Sequence, residues 1–184
     1  MLRFFEDNEG LQMGEKIIEI RTATADDAAG IAAVHAKSWQ ETYKGFMPQE
    51  FLDSITSEQR LPMWKRETSN PLLCEWLWVA VSDGKIVGFI NGGKPRENHA
   101  ASELYAIYLL KEFHGNGVGR GLFQRLTTKV REEGLDSMYL WVLDGNPTCK
   151  IYDAFGGNRT ITTKTDKVWG QTVKEVLYTF DIHQ

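Results

Sequence analysis

Apolar and polar residues alternate from Ile17 to Thr22, which predicts a strand with one buried face. Asp26 then opens a helix whose apolar positions include Ile31 and Val34, with His35 among them and Trp39 near its end. Residues 40–68 carry helical character in pieces, broken by Gly45, Pro48 and Pro62, and they gather Tyr43, Phe46, Phe51 and Trp64. Glu75 to Val81 and Ile86 to Gly92 read as two strands joined by the turn Ser82-Asp83-Gly84-Lys85. A polar loop from Lys94 to Ala101 leads into a further strand, Ser102 to Leu110. Glycines follow at 115, 117, 119 and 121, and then an amphipathic helix on which Val118, Leu122, Leu126 and Val130 recur every fourth residue, widened by Phe123. Gly134 stands where its C-terminal cap belongs. Met138 to Leu143 reads as a strand, Asn146 to Phe155 as a helix stopped by Gly156-Gly157, and Arg159–Thr163 with Val173–Ile182 as a last strand pair. Antiparallel neighbours followed by a β-α-β crossover predict an α/β fold: a mixed sheet with helices on both faces.

The chain has 184 residues, which suits a single domain over 15–184, with residues 1–14 as an N-terminal extension and Met13 as a candidate second start. Its net charge is −4, so it lacks the basic surplus of a general nucleic-acid binder. The charge is uneven. Residues 1–92 hold 9 basic and 14 acidic side chains, a net of −5, and residues 93–184 hold 12 and 11, a net of +1. Cys74 and Cys149 are too few for a disulfide framework or a four-thiolate zinc site, and the four histidines show no metal-ligand spacing. No apolar run approaches the ~20 residues of a membrane span, and the N-terminus has no signal-peptide core. These features predict a cytoplasmic protein without nucleic acid, membrane or metal as partner.

The glycine cluster carries the chemistry. Glycines between a strand and a helix let backbone approach a ligand closely. The helix start adds unpaired N–H groups and the positive end of a dipole, an arrangement suited to phosphate or pyrophosphate. Arg120 adds a cation one turn in. The dinucleotide fingerprint G-x-G-x-x-G fails in both frames, because Arg120 and Leu122 occupy its last position; the P-loop pattern fails at the same two residues.

The segment His114-Gly115-Asn116-Gly117-Val118-Gly119, after Glu103-Leu-Tyr-Ala-Ile-Tyr-Leu-Leu110, resembles the cofactor signature R/Q-x-x-G-x-G/A of the GNAT superfamily of N-acetyltransferases. Ile20 to Asp27, Ser38 to Gly45, Trp141 to Pro147 and Tyr152 to Gly157 are similar to further family segments, so the likeness spans residues 17–182. The resemblance implies a mostly antiparallel central sheet of about seven strands flanked by helices, and acetyl-CoA as co-substrate. It implies pyrophosphate binding by His114, Gly115, Asn116, Gly117, Val118, Gly119 and Arg120. It gives Leu109 N–H the thioester carbonyl, Leu110 and Asn146 the pantetheine arm, and Tyr152 the departing thiolate. There are departures: His114 replaces Arg or Gln, Lys111 stands where proline is common, and Asn146 and Tyr152 are six positions apart rather than seven.

Thioester aminolysis needs a neutral amine, a donor for the developing oxyanion and an acid for sulfur. Tyrosine, with a solution pKa of ~10, is protonated at neutral pH and suits the last role. Glu103, in the strand leading to the cofactor, is the candidate base. The resemblance implies an acceptor site from Trp39, Tyr43 and Phe46, and a homodimer is common in the family. The acidic first half favours a cationic amine acceptor, such as a polyamine, an amino sugar, or a lysine or N-terminal amine. The readings are an acetyl-CoA-dependent N-acetyltransferase acting on a small-molecule or peptide amine, a non-catalytic CoA-binding module on the same fold, and a nucleotide-binding protein.

Overall fold

Ile18 and Ile20 are buried while Ile17 and Glu19 face out, so the first alternating segment forms the strand its pattern predicts. The computed structural model describes residues 10–13, 16–74, 76–97, 99–168 and 171–182. Strands are β1 (Gly10–Met13), β2 (Lys16–Thr22), β3 (Leu77–Ser82), β4 (Lys85–Gly93), β5 (Ser102–Leu109), β6 (Ser137–Leu143), β7 (Asn158–Val168) and β8 (Gln171–Asp181). Helices are α1 (Ala28–Thr42), α2 (Gln49–Ser54), α3 (Ser57–Ser69), α4 (Pro71–Cys74), α5 (Val118–Glu132) and α6 (Cys149–Ala154). The hydrogen-bonded order is β1-β2-β3-β4-β5-β6-β8-β7. Only β5–β6 is a parallel pair among those whose register is described, so the sheet is mixed and mostly antiparallel. The chain divides into two compact units, Met1–Asn91 with Ala106–Leu126, and Gly92–Tyr105 with Thr127–Gln184.

In the first unit, Asp83 and Gly84 both take positive φ, 49° and 73°, at the turn joining β3 to β4. Two left-handed residues in sequence match the twist of a tight hairpin. The core gathers Ile31, Ala32 and Val34 of α1, Trp64 of α3, and Leu77, Val79 and Phe89 of β3 and β4. α1 starts after a capping box in which Asp27 Oδ2 accepts the Thr24 N–H at 2.7 Å. The Asp27 carboxylate also receives both Arg21 nitrogens, at 2.7 and 2.8 Å, and this pair holds it below the usual carboxylate range. Pro62 is predicted to break a helix, yet α3 runs through it. One missing N–H is tolerated there, with Trp64 two residues on buried and Thr68 Oγ1 bonded back to its carbonyl at 2.8 Å. Gly45 at φ +78° and Pro48 do interrupt, as their chemistry requires.

Gly88 of β4 marks a close approach. A Cβ there would stand 2.7 Å from Leu109 Cδ1, 3.0 Å from the Tyr108 carbonyl oxygen and 3.4 Å from Leu122 Cδ1. Ala106 and Tyr108 of β5, with Leu110 just after it, thereby pack on the α1–α3 core, while Leu109 lies toward α5.

In the second unit, β8 pairs with β6 on one side and β7 on the other. The β7–β8 ladder extends to Val168↔Gln171, well beyond the predicted 159–163 and 173–182. Its outer part is polar, Thr163 to Lys167, and leaves no hydrophobic period to read. At the end of α5, Gly134 (φ +70°) gives its N–H to Arg131 O at 2.9 Å, and Leu135 gives its own to Val130 O at 3.0 Å. These two bonds form the Schellman cap that Gly134 predicts. Residues 10–13, assigned by sequence to the extension, form β1 against β2; residues 1–9 and 14 lie outside the described residues.

Candidate functional site

The glycine loop belongs to the first unit. β5 ends at Leu109, a single 3-10 turn spans Lys111–Phe113, and Phe113 is buried as its anchor. His114, Gly115 and Asn116 are exposed beyond it. Gly115 and Gly117 both stand at φ +78°, a conformation that side-chain-bearing residues resist. Val118, Leu122, Leu126 and Val130 are completely buried, which fixes the axis of α5 and points its N-terminus at the glycines. The side chain of Val118 is core, so only its backbone can serve a ligand.

His114 fills its position by closing the loop. Its Nε2 donates to the Leu109 carbonyl at 2.9 Å, and a carbonyl only accepts, so the proton sits on Nε2. Asn116 Nδ2 donates to the His114 carbonyl at 2.9 Å. Leu110 N–H donates to Val87 O of β4 at 2.9 Å. Successive N–H groups of extended chain point to opposite edges, so Leu109 N–H faces away from β4. The loop has the make-up of an anion cradle: the left-handed glycines Gly115 and Gly117 precede a first turn whose amides lack intrahelical acceptors. A Cβ added at Gly119 would meet nothing closer than Leu109 Cδ2 at 3.9 Å. The room beside that backbone is thus open.

The same unit brings the three acceptor candidates into one row. Trp39 and Tyr43 lie with ring centroids 4.7 Å apart, and Phe46 follows at 6.2 Å from Tyr43. Trp39 is half-buried, Tyr43 buried and Phe46 exposed, so the row reaches the surface at Phe46. Trp39 Nε1 donates to the Tyr108 hydroxyl at 2.7 Å. Burial pushes Tyr108 up to about 12. His35 stacks on Tyr108 at 5.0 Å with planes 18° apart, and its Nδ1 accepts from Trp64 Nε1 at 3.1 Å. Burial drives His35 down to about 3, so it is neutral at physiological pH. His35 and Tyr108, which adjoin these candidates, are not singled out by the sequence. Their signal was present, since 106, 108 and 110 alternate with 109, but the partner helix was not known.

In the second unit, Glu103 is buried at 1% exposure and surrounded by donors. Arg96 supplies its backbone N–H at 2.8 Å, its Nε at 2.9 Å and a short Nη2 contact. Tyr139 adds its hydroxyl at 2.7 Å. Burial, reinforced by the Glu103 carboxylate, pushes Tyr139 up to about 12. Asn146 is buried, and its Oδ1 accepts the Thr148 N–H at 2.9 Å, shaping the turn before α6. Tyr152 is half-buried on α6 with its ring 5.7 Å from that of Tyr178. Tyr178 in turn donates its hydroxyl to Asp153 at 3.0 Å. Burial pushes the thiols of Cys149 and Cys74 up, and Cys74 Sγ donates to Ala23 O at 2.9 Å. Neither thiol is set up as a thiolate nucleophile. Among the described residues, no group of three or more His, Cys, Asp or Glu is placed to hold a metal ion.

Residues 37–156 match the acetyltransferase (GNAT) family. The chain belongs to that family. It is 31% identical over 163 residues to the uncharacterized N-acetyltransferase YuaI of Bacillus subtilis, covering 87% of this chain and 91% of that one. The PaiA N-acetyltransferase of Thermoplasma acidophilum, solved with coenzyme A, is 24% identical with a TM-score of 0.62, covering 86% of this chain and 97% of that one. YncA of Salmonella typhimurium, solved with acetyl-CoA, is 16% identical with a TM-score of 0.63, covering 91% and 95%. The fold is therefore the GNAT fold, and this GNAT protein is an acetyltransferase. The mixed sheet flanked by helices is the architecture the resemblance implied.

Proposed function

We propose that the protein moves an acetyl group from acetyl-CoA to a primary amine of a small-molecule or peptide acceptor, by direct attack in a ternary complex. The observation that carries this reading is the loop at 114–120, where Gly115, exposed, and Gly117, half-buried, both at φ +78°, precede the α5 N-terminus. Solved GNAT structures with coenzyme A and acetyl-CoA support the donor.

When bound, acetyl-CoA supplies an acyl thioester. The backbone of Gly115 to Arg120 would take its pyrophosphate, with His114 holding the loop closed. Leu109 N–H would donate to the thioester oxygen, and Leu110 and Asn146 would contact the pantetheine arm. Trp39, Tyr43 and Phe46 would receive the acceptor. As the amine nitrogen bonds to the carbonyl carbon and the carbon–sulfur bond breaks, the Tyr152 hydroxyl would give sulfur its proton. Glu103, directly or through water, would collect the proton that the nitrogen loses. To do so it must release one of the donors that now occupy its oxygens. A homodimer and a cytoplasmic location complete the proposal.

Thermal-shift measurement with acetyl-CoA, CoA, ATP and NAD tests it, followed by an amine panel read by thiol release. Stabilisation by the two CoA species, and thiol release with an amine, are the expected results. Stabilisation by CoA without turnover of any amine would indicate a binding module. No stabilisation by either CoA species would overturn the reading.

A further inference from the structure

Arg21, Arg66, Arg96 and Arg159 each reach a carboxylate of this chain: Asp27, Glu67, Glu103 and Asp144. Arg60 on α3 does not. It is half-buried, its Nε is buried with no hydrogen-bond partner, and no carboxylate among the described residues pairs with it. Its helix shows where it points. Trp64, four residues on, is buried and donates to His35 Nδ1. Residues four apart share a helix face, so Arg60 rises from that same face toward His35 and the Tyr108 ring stacked on it. The Arg60 charge acts on both rings, adding to the fall at His35 and opposing the rise at Tyr108. On α1, Ser38 lies one turn from His35, and its buried Oγ also lacks a partner.

A guanidinium with its Nε buried and unpartnered and the rest half-buried is favourably placed to take an anion. The groups beside Arg60 supply none: His35 is neutral and the Tyr108 hydroxyl keeps its proton. Trp39, which binds the Tyr108 hydroxyl, begins the aromatic row that runs out to Phe46. We propose that Arg60 receives the carboxylate of the acceptor, so that the acceptor is a small primary amine bearing a carboxylate, an amino acid or close analogue. This rests on the acetyltransferase reading above. One planar guanidinium beside a neutral imidazole matches a singly charged, two-oxygen anion, whereas a phosphate dianion would leave a charge unmatched. The cationic amine suggested by the acidic first half reflects a sum over the surface; the local field at these rings has the opposite sign.

The test uses the purified full-length protein with saturating acetyl-CoA, read by thiol release. Acceptors are L-α-amino acids, their α-amides, O-phosphoethanolamine and spermidine. At least one amino acid should exceed its amide by about tenfold or more in kcat/KM. Arg60→Gln should erase that preference by raising the KM for the acid, with the KM for acetyl-CoA unchanged and the melting temperature no lower. Arg60→Lys, which keeps charge but loses the planar fork, should recover part of it. Equal use of acids and amides, or a preference that Arg60→Gln leaves intact, overturns the inference. So does an Arg60 dependence confined to O-phosphoethanolamine, a raised KM for acetyl-CoA in its place, or acetyl-CoA binding with no acid acetylated. Should Arg60→Gln fail to fold, the acid-to-amide ratio of the parent protein and the Arg60→Lys variant still decide. Failure of acetyl-CoA to stabilise the protein overturns the underlying acetyltransferase reading; amine turnover indifferent to Arg60 overturns this one alone.

Discussion

Tyr139 gives its hydroxyl proton to Glu103 Oε2 at 2.7 Å and receives the Glu97 N–H at 2.9 Å. The buried carboxylate is thus fastened to strand β6 and, through Arg96, to the loop before β5. Tyr139→Phe strips a donor from the carboxylate and an acceptor from the Glu97 amide, and we expect a loss of about 1–2 kcal/mol in urea unfolding. Glu103→Gln separates two roles. A proton-accepting Glu103 predicts a fall of about 100-fold in kcat and loss of the acid limb of the pH–rate profile. A purely positioning Glu103 predicts lower stability with that limb unmoved.

Tyr152→Phe keeps the ring against Tyr178 and removes only the hydroxyl. If that hydroxyl protonates sulfur, kcat should fall about 100-fold or more while CoA affinity, measured calorimetrically, stays level. Acyl donors with more acidic leaving thiols should recover much of the lost rate, because they need less help from an acid.

The glycines of the loop should respond differently from one another. Gly115 at φ +78° has open space around it, so Gly115→Ala meets backbone strain alone, about 1 kcal/mol, and should weaken acetyl-CoA binding by distorting the loop. Gly119 sits in the first turn of α5 with 3.9 Å to its nearest neighbour. Gly119→Ala should therefore hold or raise the melting temperature, since alanine favours helix by about 1 kcal/mol. The same methyl stands where a ligand would approach the backbone, and the KM for acetyl-CoA should rise about tenfold. Stability and affinity moving in opposite directions would mark the cradle as a ligand site.

His35 should make stability depend on pH. Its pKa is about 3 in the fold and ~6.5 in an unfolded chain. Above pH ~6.5 both states are neutral and the contribution is complete. As pH falls below that, the unfolded chain takes up a proton that the fold refuses, and stability drops by up to ~1.4 kcal/mol per pH unit toward pH ~3. His35→Gln, which can still accept from Trp64, should flatten the melting temperature between pH 6.5 and 4, a window set by these two pKa values.

Much of this was legible because it is local. The period of Val118, Leu122, Leu126 and Val130 dictates α5, Gly134 its end, and Asp83-Gly84 the hairpin. The proposed phosphate cradle follows from glycines set against that helix. What escaped is what joins distant residues. Trp64 and His35 are 29 positions apart, and Tyr139 and Glu103 are 36 apart; no periodicity pairs them. α4 is a single turn and the outer β7–β8 ladder is polar, so neither leaves a hydrophobic stripe. Arg60 carries no local sign of its setting, because its unpartnered Nε and the lack of a pairing carboxylate among the described residues are tertiary facts.

Gly88 carries a consequence for how this sequence can change. Position 88 holds no side chain because Leu109, the Tyr108 carbonyl and Leu122 already fill that volume. The strand that ends at the glycine loop and the helix that begins after it therefore share one packing slot. A homologue with a larger residue at 88 should carry smaller ones at 109 or 122, since cores tolerate exchanges that conserve volume. These three positions should drift together across the family as a covarying set, and a library randomised at all three should recover acetyl-CoA binding only where their summed volume is kept.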